Sequence, residues 1–90
     1  MTNTNSIYYI ISIEPKDGRL REVHEEVLYS EAYVVEAEPG FPGVLKVLQP
    51  YNDRYHTLRT SLVLRCTPLG DNPDTIVMET ENTIYTLEKM

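Results

Sequence analysis

The sequence predicts an all-β domain, or a mainly β domain with one short helix, folded as a small antiparallel barrel or roll of six to seven strands. Short runs rich in Ile, Val, Thr and Tyr recur at close spacing, and Pro and Gly separate them. A barrel also hides the strand edges that an open sheet of this size would expose. We expect residues 7–90 to form a single domain and the polar residues 1–6 to be disordered.

The C-terminal stretch, residues 75–87, predicts a β-hairpin with its turn at Glu81-Asn82, because Asn tolerates positive φ. A three-residue loop would put apolar groups on both faces of the hairpin, whereas a loop of two or four residues gathers them on one. We therefore expect the even-length loop. Its register forms two apolar cross-strand pairs: Met78 with Tyr85, and Ile76 with Leu87.

The clearest single strand is predicted over residues 7–13, where apolar residues alternate. Strict alternation places four side chains on one face: Ile7, Tyr9, Ile11 and Ile13. The other face is partly apolar as well, which suits a central strand or a small barrel. Residues 15–18, Pro-Lys-Asp-Gly, predict a turn.

Residues 19–30 fit two patterns. Leu20, Val23 and Val27 have helical spacing, with acidic residues on the opposite side. In a strand, Val23, Val27 and Tyr29 share a face, but Glu25 interrupts it. We expect a short helix or an irregular excursion here.

Three further strands are predicted over residues 32–38, 43–48 and 57–66. The Pro-Gly-rich segment between the first two predicts a loop, and we expect Phe41 in this loop to fold back as a lid on the core. Residues 68–74 predict a polar loop before the terminal hairpin.

Fourteen acidic residues against eight basic ones give a formal net charge of −6. This charge argues against direct nucleic-acid binding, because a phosphate backbone requires a basic patch and the Lys and Arg residues are scattered. The single cysteine, Cys66, excludes an internal disulfide and suits a reducing compartment. No apolar run approaches the ~20 residues of a membrane span. We expect a cytoplasmic protein.

No pattern in the sequence predicts a metal, a cofactor or catalysis. His24 lies among acidic residues, but we expect it to be exposed on a solvated face rather than to bind a metal. Ser61 and His56 would lie on opposite faces of a strand, so they would not form a nucleophile and base pair. Glu36 and Glu38 would share a strand face like a glycosidase pair, although solvated strands have the same pattern.

The C-terminal third carries two short motifs: Thr60-Ser61-x-Val63, then Thr80-x-Asn82-Thr83-x-Tyr85. This tail resembles the ending of some short bacterial and phage proteins of unknown role. The resemblance covers roughly the last thirty residues and implies a small β fold. It implies that Val63 and Tyr85 are core positions, and it carries over no catalytic residue.

We expect a non-enzymatic protein-interaction or accessory module with an acidic surface, and the resemblance implies a relation to phages or mobile elements. The candidate contacts with a protein partner are Glu22, Glu25, Glu26, Glu36, Glu38 and Phe41. The alternative is a small ligand-binding or hydrolytic barrel that uses Tyr and carboxylate residues. A pocket with two or more buried ionisable groups would favour this alternative. We expect a monomer, or a homodimer paired through a strand edge at residues 44–48 or at the terminal hairpin.

Overall fold

The computed structural model describes residues 7–49 and 54–90, which form a closed antiparallel barrel whose strands follow one another in chain order. Its strands are β1 Ile7–Pro15, β2 Glu31–Glu36, β3 Pro42–Gln49, β4 Arg54–Leu69, β5 Asn72–Thr80 and β6 Thr83–Lys89. The helix α1, Glu22–Val27, lies between β1 and β2. The predicted fold class is confirmed. The expected disorder of residues 1–6 concerns a segment outside the described residues.

Strand β4 is unusually long, at 16 residues, and serves two partners in succession. Its first part, residues 54–62, pairs with β3, and its second part begins at Val63 and pairs with β5. Such an offset between neighbouring strands is what allows a twisted sheet to close into a barrel. Closure is completed by β6, which pairs with β1.

The barrel interior is filled by apolar side chains from all six strands and from α1. The fully buried ones include Ile10, Leu45, Val47, Val63, Met78, Leu87 and the helix residue Val27. Because these side chains fill the barrel, the interior is a packed core rather than a channel.

The terminal hairpin has the predicted register, with Met78 opposite Tyr85 and Ile76 opposite Leu87. The reason given for its turn was wrong, because Asn82 is not among the residues with positive φ in the described chain. Instead, the fully buried Thr80 closes the hairpin: its hydroxyl donates to the Thr83 carbonyl at 2.8 Å and accepts from the Thr83 N–H at 3.0 Å.

Strand β1 departs from the predicted alternation. Its register with β6 shifts between Ile10 and Ser12, which leaves Ile11 as an extra residue in a bulge. The core residues of β1 are consequently Ile10 and Ile13, three positions apart, whereas Tyr9 is 37% exposed. The prediction of one face shared by Ile7, Tyr9, Ile11 and Ile13 was therefore wrong.

The short helix expected in residues 19–30 is confirmed, but its buried face is different. His24 and Val27 are buried, whereas Leu20 and Val23 are more than 40% exposed. The predicted exposure of His24 was wrong, because α1 turns this residue toward Tyr85 of the barrel. After the helix, the chain rejoins β1 through two backbone hydrogen bonds with Ile10.

Other boundaries also differ from the predictions. Phe41 is 55% exposed and is not a lid over the core. Most of the expected loop 68–74 is strand, because β4 and β5 are joined by a tight turn in which Gly70 has a φ of 56°. Strand β3 and both strands of the terminal hairpin are paired on two sides, so the two edges expected to pair copies are already occupied.

Candidate functional site

A cleft of about 640 Å³ opens at the end of the barrel where β1 and β5 finish. Its walls come from α1 and the segment before it, from the first part of β4, and from the β5–β6 turn and the start of β6. The volume falls within the range of about 300–1,000 Å³ typical of ligand pockets. The cleft is therefore large enough for a ligand.

One wall of the cleft consists of four consecutive β4 residues, 58–61. Side chains alternate across a strand, so four successive residues cannot all border one cavity through their side chains alone. The edge of the strand must contribute to this wall. The strand pairings agree, because β5 reaches β4 only at Val63, whereas β3 pairs with residues 54–62 on the other side.

The β5–β6 turn closes the lower end of this gap through its backbone. Glu81 N–H donates to the Leu62 carbonyl at 3.0 Å, and Asn82 N–H donates to Ser61 Oγ at 3.2 Å. Asn82 in turn accepts from Lys16 N–H at 2.8 Å. The turn is thereby fixed between β4 and the end of β1, and it gives the cleft a rigid border.

Two buried aromatic rings, His24 and Tyr85, face one another at the cleft. Their centroids lie 6.2 Å apart and their planes are nearly perpendicular, at 83°. Both residues line the cleft and are less than 10% exposed. The Nδ1 atom of His24 accepts from Arg21 N–H at 3.4 Å, which leaves Nε2 to carry the proton of the neutral ring.

Burial keeps both groups uncharged. The pKa of His24 is lowered by burial first and by the charge of Arg21 second, while Asp17 opposes the shift. Burial likewise raises the pKa of Tyr85, opposed by hydrogen bonding with Thr83. At neutral pH the cleft therefore presents a neutral imidazole and a protonated phenol, both able to donate hydrogen bonds.

The rim carries charges of both signs. Arg21 is paired with Asp17 at 2.9 Å, and the pKa of Asp17 is lowered by a hydrogen bond from Arg19 N–H and then by Arg21. By contrast, neither Arg59 nor Glu81 forms an ion pair within residues 7–49 and 54–90. The guanidinium of Arg59 and the carboxylate of Glu81 are therefore the cleft charges that can pair with a ligand without breaking an existing ion pair.

The acidic residues proposed as partner contacts lie on two elements, α1 and the end of β2. Glu22, Glu25 and Glu26 are exposed on α1, beside the cleft. The other three candidates, Glu36, Glu38 and Phe41, lie at or just beyond the far end of β2. Val44 pairs with both Glu36 and the cleft residue Arg59, so the end of β2 lies two strands from the cleft wall.

Other chemistry considered from the sequence receives no support at this site. No cluster of three or more His, Cys, Asp or Glu suited to a metal occurs in the part of the chain described. Cys66 is partly buried, and burial raises the pKa of its thiol, which disfavours the reactive thiolate. The described part also contains no helix long and apolar enough to cross a membrane.

Sequence reasoning missed the cleft residues. The partners of His24 are brought together only by tertiary structure, since Tyr85 is sixty-one positions away along the chain. Tyr85 was placed correctly on the apolar face of the hairpin, but nothing in that pattern indicated that its ring borders a cavity. Neither family models, nor curated proteins, nor solved structures match this chain. Its function is therefore argued from the geometry of the cleft.

Proposed function

We propose that this protein is a non-enzymatic binding domain whose ligand occupies the cleft, which is the ligand-binding form of the alternative stated from the sequence. The observation that carries the proposal is the neutral pair of buried ionisable groups, His24 and Tyr85, at a cavity of ligand size. Buried hydrogen-bond donors in a mostly preformed cavity orient a ligand without demanding a charge from it.

Binding without catalysis is supported by the direction of the two pKa shifts. A general acid or base works best with a pKa near the working pH. Here burial moves the pKa of His24 downward and that of Tyr85 upward, so both move away from 7. The hydrolytic form of the alternative also requires a protonated carboxyl group as general acid, and Asp17, a carboxylate in the cleft, is held ionised by Arg19 N–H and Arg21.

The test is an NMR titration of isotope-labelled protein with two sets of compounds, small carboxylates and phosphates in one and short uncharged peptides in the other. We expect at least one set to shift the ring signals of His24 and Tyr85 together with backbone signals of residues 58–61. Tyr85→Phe removes only the hydroxyl and should weaken that binding. Tyr29→Phe is the matched control, because Tyr29 is 71% exposed and does not line the cleft. Shifts confined to Glu36 and Phe41 would contradict the proposal.

A second candidate is electrostatic docking of a basic protein surface onto the helix. Glu22, Glu25 and Glu26 are exposed, and none of them forms an ion pair with another described residue. Such docking would weaken at high salt and would suit a small phage-type protein that blocks a host factor. Neutralising these three residues to Gln should abolish it, whereas Glu36→Gln with Glu38→Gln should not. For either mode, we propose the cytoplasm as the site of action.

A further inference from the structure

We infer that the ligand of the cleft is an extended peptide segment of another protein, which adds as a strand to β4 along residues 57–61. This inference rests on the proposed function of the cleft and names the class of ligand. It follows from the edge of β4 that borders the cleft, where β3 is paired on one side and β5 does not reach the other.

The first support is the register of the two ladders. Residues 54–62 of β4 pair with β3, but the β5 ladder begins only at Val63. Alternate residues of an antiparallel strand direct both their N–H and C=O toward the same neighbour. Residues 57–59 are in regular register with β3, so those at alternate positions direct their backbone groups away from β3, toward the side that β5 does not reach. The register shifts at residues 60–61.

The second support is the position of this edge. It borders the cleft over residues 58–61, so its polar groups face a concave space and not a flat surface. Backbone N–H and C=O groups in such a place are complementary to another extended backbone, as in peptide recognition by strand addition. The helix and the β5–β6 turn line the same cleft as this edge, and such cover limits edge-to-edge aggregation.

The third support is the chemistry of the opposite walls. Val23 on α1 is 43% exposed at the cleft, and the ring of Tyr85 on β6 borders it. An added strand would direct alternate side chains toward this surface and the others toward solvent. The expected peptide is therefore about five residues long, with apolar residues alternating with polar ones.

The experiment uses acetylated, amidated pentapeptides in which Val, Leu or Phe alternates with Thr. Each is compared with two versions that are N-methylated at one or the other set of alternate residues, which removes backbone donors but keeps every side chain. We expect one methylation pattern to abolish binding and the other to be tolerated. Amide hydrogen exchange at the residues of 57–59 whose N–H groups face the cleft should slow roughly 100-fold at a free peptide concentration 100 times Kd.

A variant pair tests the apolar wall independently. Val23→Arg should weaken binding of the best peptide about tenfold or more. Leu20→Arg should leave it unchanged, because Leu20 is equally exposed, at 44%, but does not line the cleft.

The remaining outcomes separate this inference from the proposed function. Equal binding of the methylated and unmethylated peptides at the cleft would overturn strand addition, and so would cleft binding of small carboxylates or phosphates with no peptide bound. Both outcomes would leave the cleft as the binding site. Protection of the same amides that rises with protein concentration alone would identify a second copy as the occupant and overturn the inference. Binding of no compound at the cleft would overturn both proposals.

Discussion

Gly43 is the one of the four glycines at which an added Cβ atom has no room, and Gly43→Ala tests the packing behind the cleft. A Cβ atom at this position would lie 2.7 Å from Thr60 Oγ1, 3.1 Å from Met78 Sδ and 3.2 Å from Val63 Cγ2. Thr60 cannot yield freely, because its hydroxyl accepts from Gly43 N–H at 2.8 Å and donates to the Ser61 carbonyl at 2.7 Å. The added methyl group must therefore displace either backbone or a hydrogen-bonded side chain.

The expected magnitude follows from three contributions. Overpacking of a well-packed core by one carbon costs about 1–3 kcal/mol. Rotation of Thr60 out of the way would instead leave the buried Gly43 N–H without its acceptor, at a similar cost of about 1–3 kcal/mol. In the unfolded chain Ala has less conformational entropy than Gly, and this difference stabilises the folded variant by about 0.4–1 kcal/mol. We expect Gly43→Ala to lower the free energy of unfolding by about 2 kcal/mol and Tm by roughly 8–16 °C.

The measurement is urea unfolding followed by circular dichroism, with Thr60→Ala and the double variant as a cycle. Thr60→Ala alone removes an acceptor, but in the double variant it also removes the clashing atom. We expect the double variant to be more stable than the sum of the single effects by about 1 kcal/mol. A change below about 0.5 kcal/mol for Gly43→Ala, or strict additivity, would refute the reasoning.

Three other changes test the hairpin, the buried imidazole and the surface ion pairs. Thr80→Val should lower the free energy of unfolding in urea by about 2–3 kcal/mol, because it leaves the buried N–H and C=O groups of Thr83 without their hydrogen-bond partner. Thr80→Ser should retain most of the stability. Because the pKa of His24 is lowered in the folded protein, the unfolded chain takes up the proton at a higher pH than the folded one does. The free energy of unfolding should therefore fall as pH drops below about 6.5. His24→Gln should flatten this part of the pH profile, and an unchanged slope would contradict the assignment. Glu79→Gln removes the partner of Lys16 and Arg65 on the outer surface and should cause a small destabilisation that shrinks with added salt.

Prediction from the sequence was most accurate where the alternation of side chains between the two faces of a strand decides the structure. In the terminal hairpin a one-residue change of loop length would reverse every side chain, so the apolar pairs Met78–Tyr85 and Ile76–Leu87 could form in only one class of register. The composition of the strands and turns likewise predicted the fold class. These inferences depend on neighbours along the chain and need no knowledge of the rest of the barrel.

Prediction failed where distant strands determine local structure. The bulge at Ile11 follows from the pairing of β1 with β6, which begins more than seventy positions away along the chain, and it moves the buried face from Ile11 to Ile10. The helix presents His24 rather than Val23 to the barrel because Tyr85 lies on that side. Nothing in the neighbouring residues indicates that a histidine in an acidic segment is buried. Because the cleft is formed around this histidine, the neighbouring residues did not indicate the cleft either.

The cleft and the closure of the barrel have the same structural origin. Closing six twisted strands requires the two neighbours of β4 to pair with it at offset positions, and β4 meets this requirement by extending over 16 residues. The tight turn at Glu81-Asn82 then ends β5 at the level of Val63, which leaves residues 57–59 paired with β3 but not with β5. Barrel closure usually removes strand edges. In this protein closure leaves a short edge of β4 unpaired, and the helix and turn that line the cleft make that edge part of a cavity.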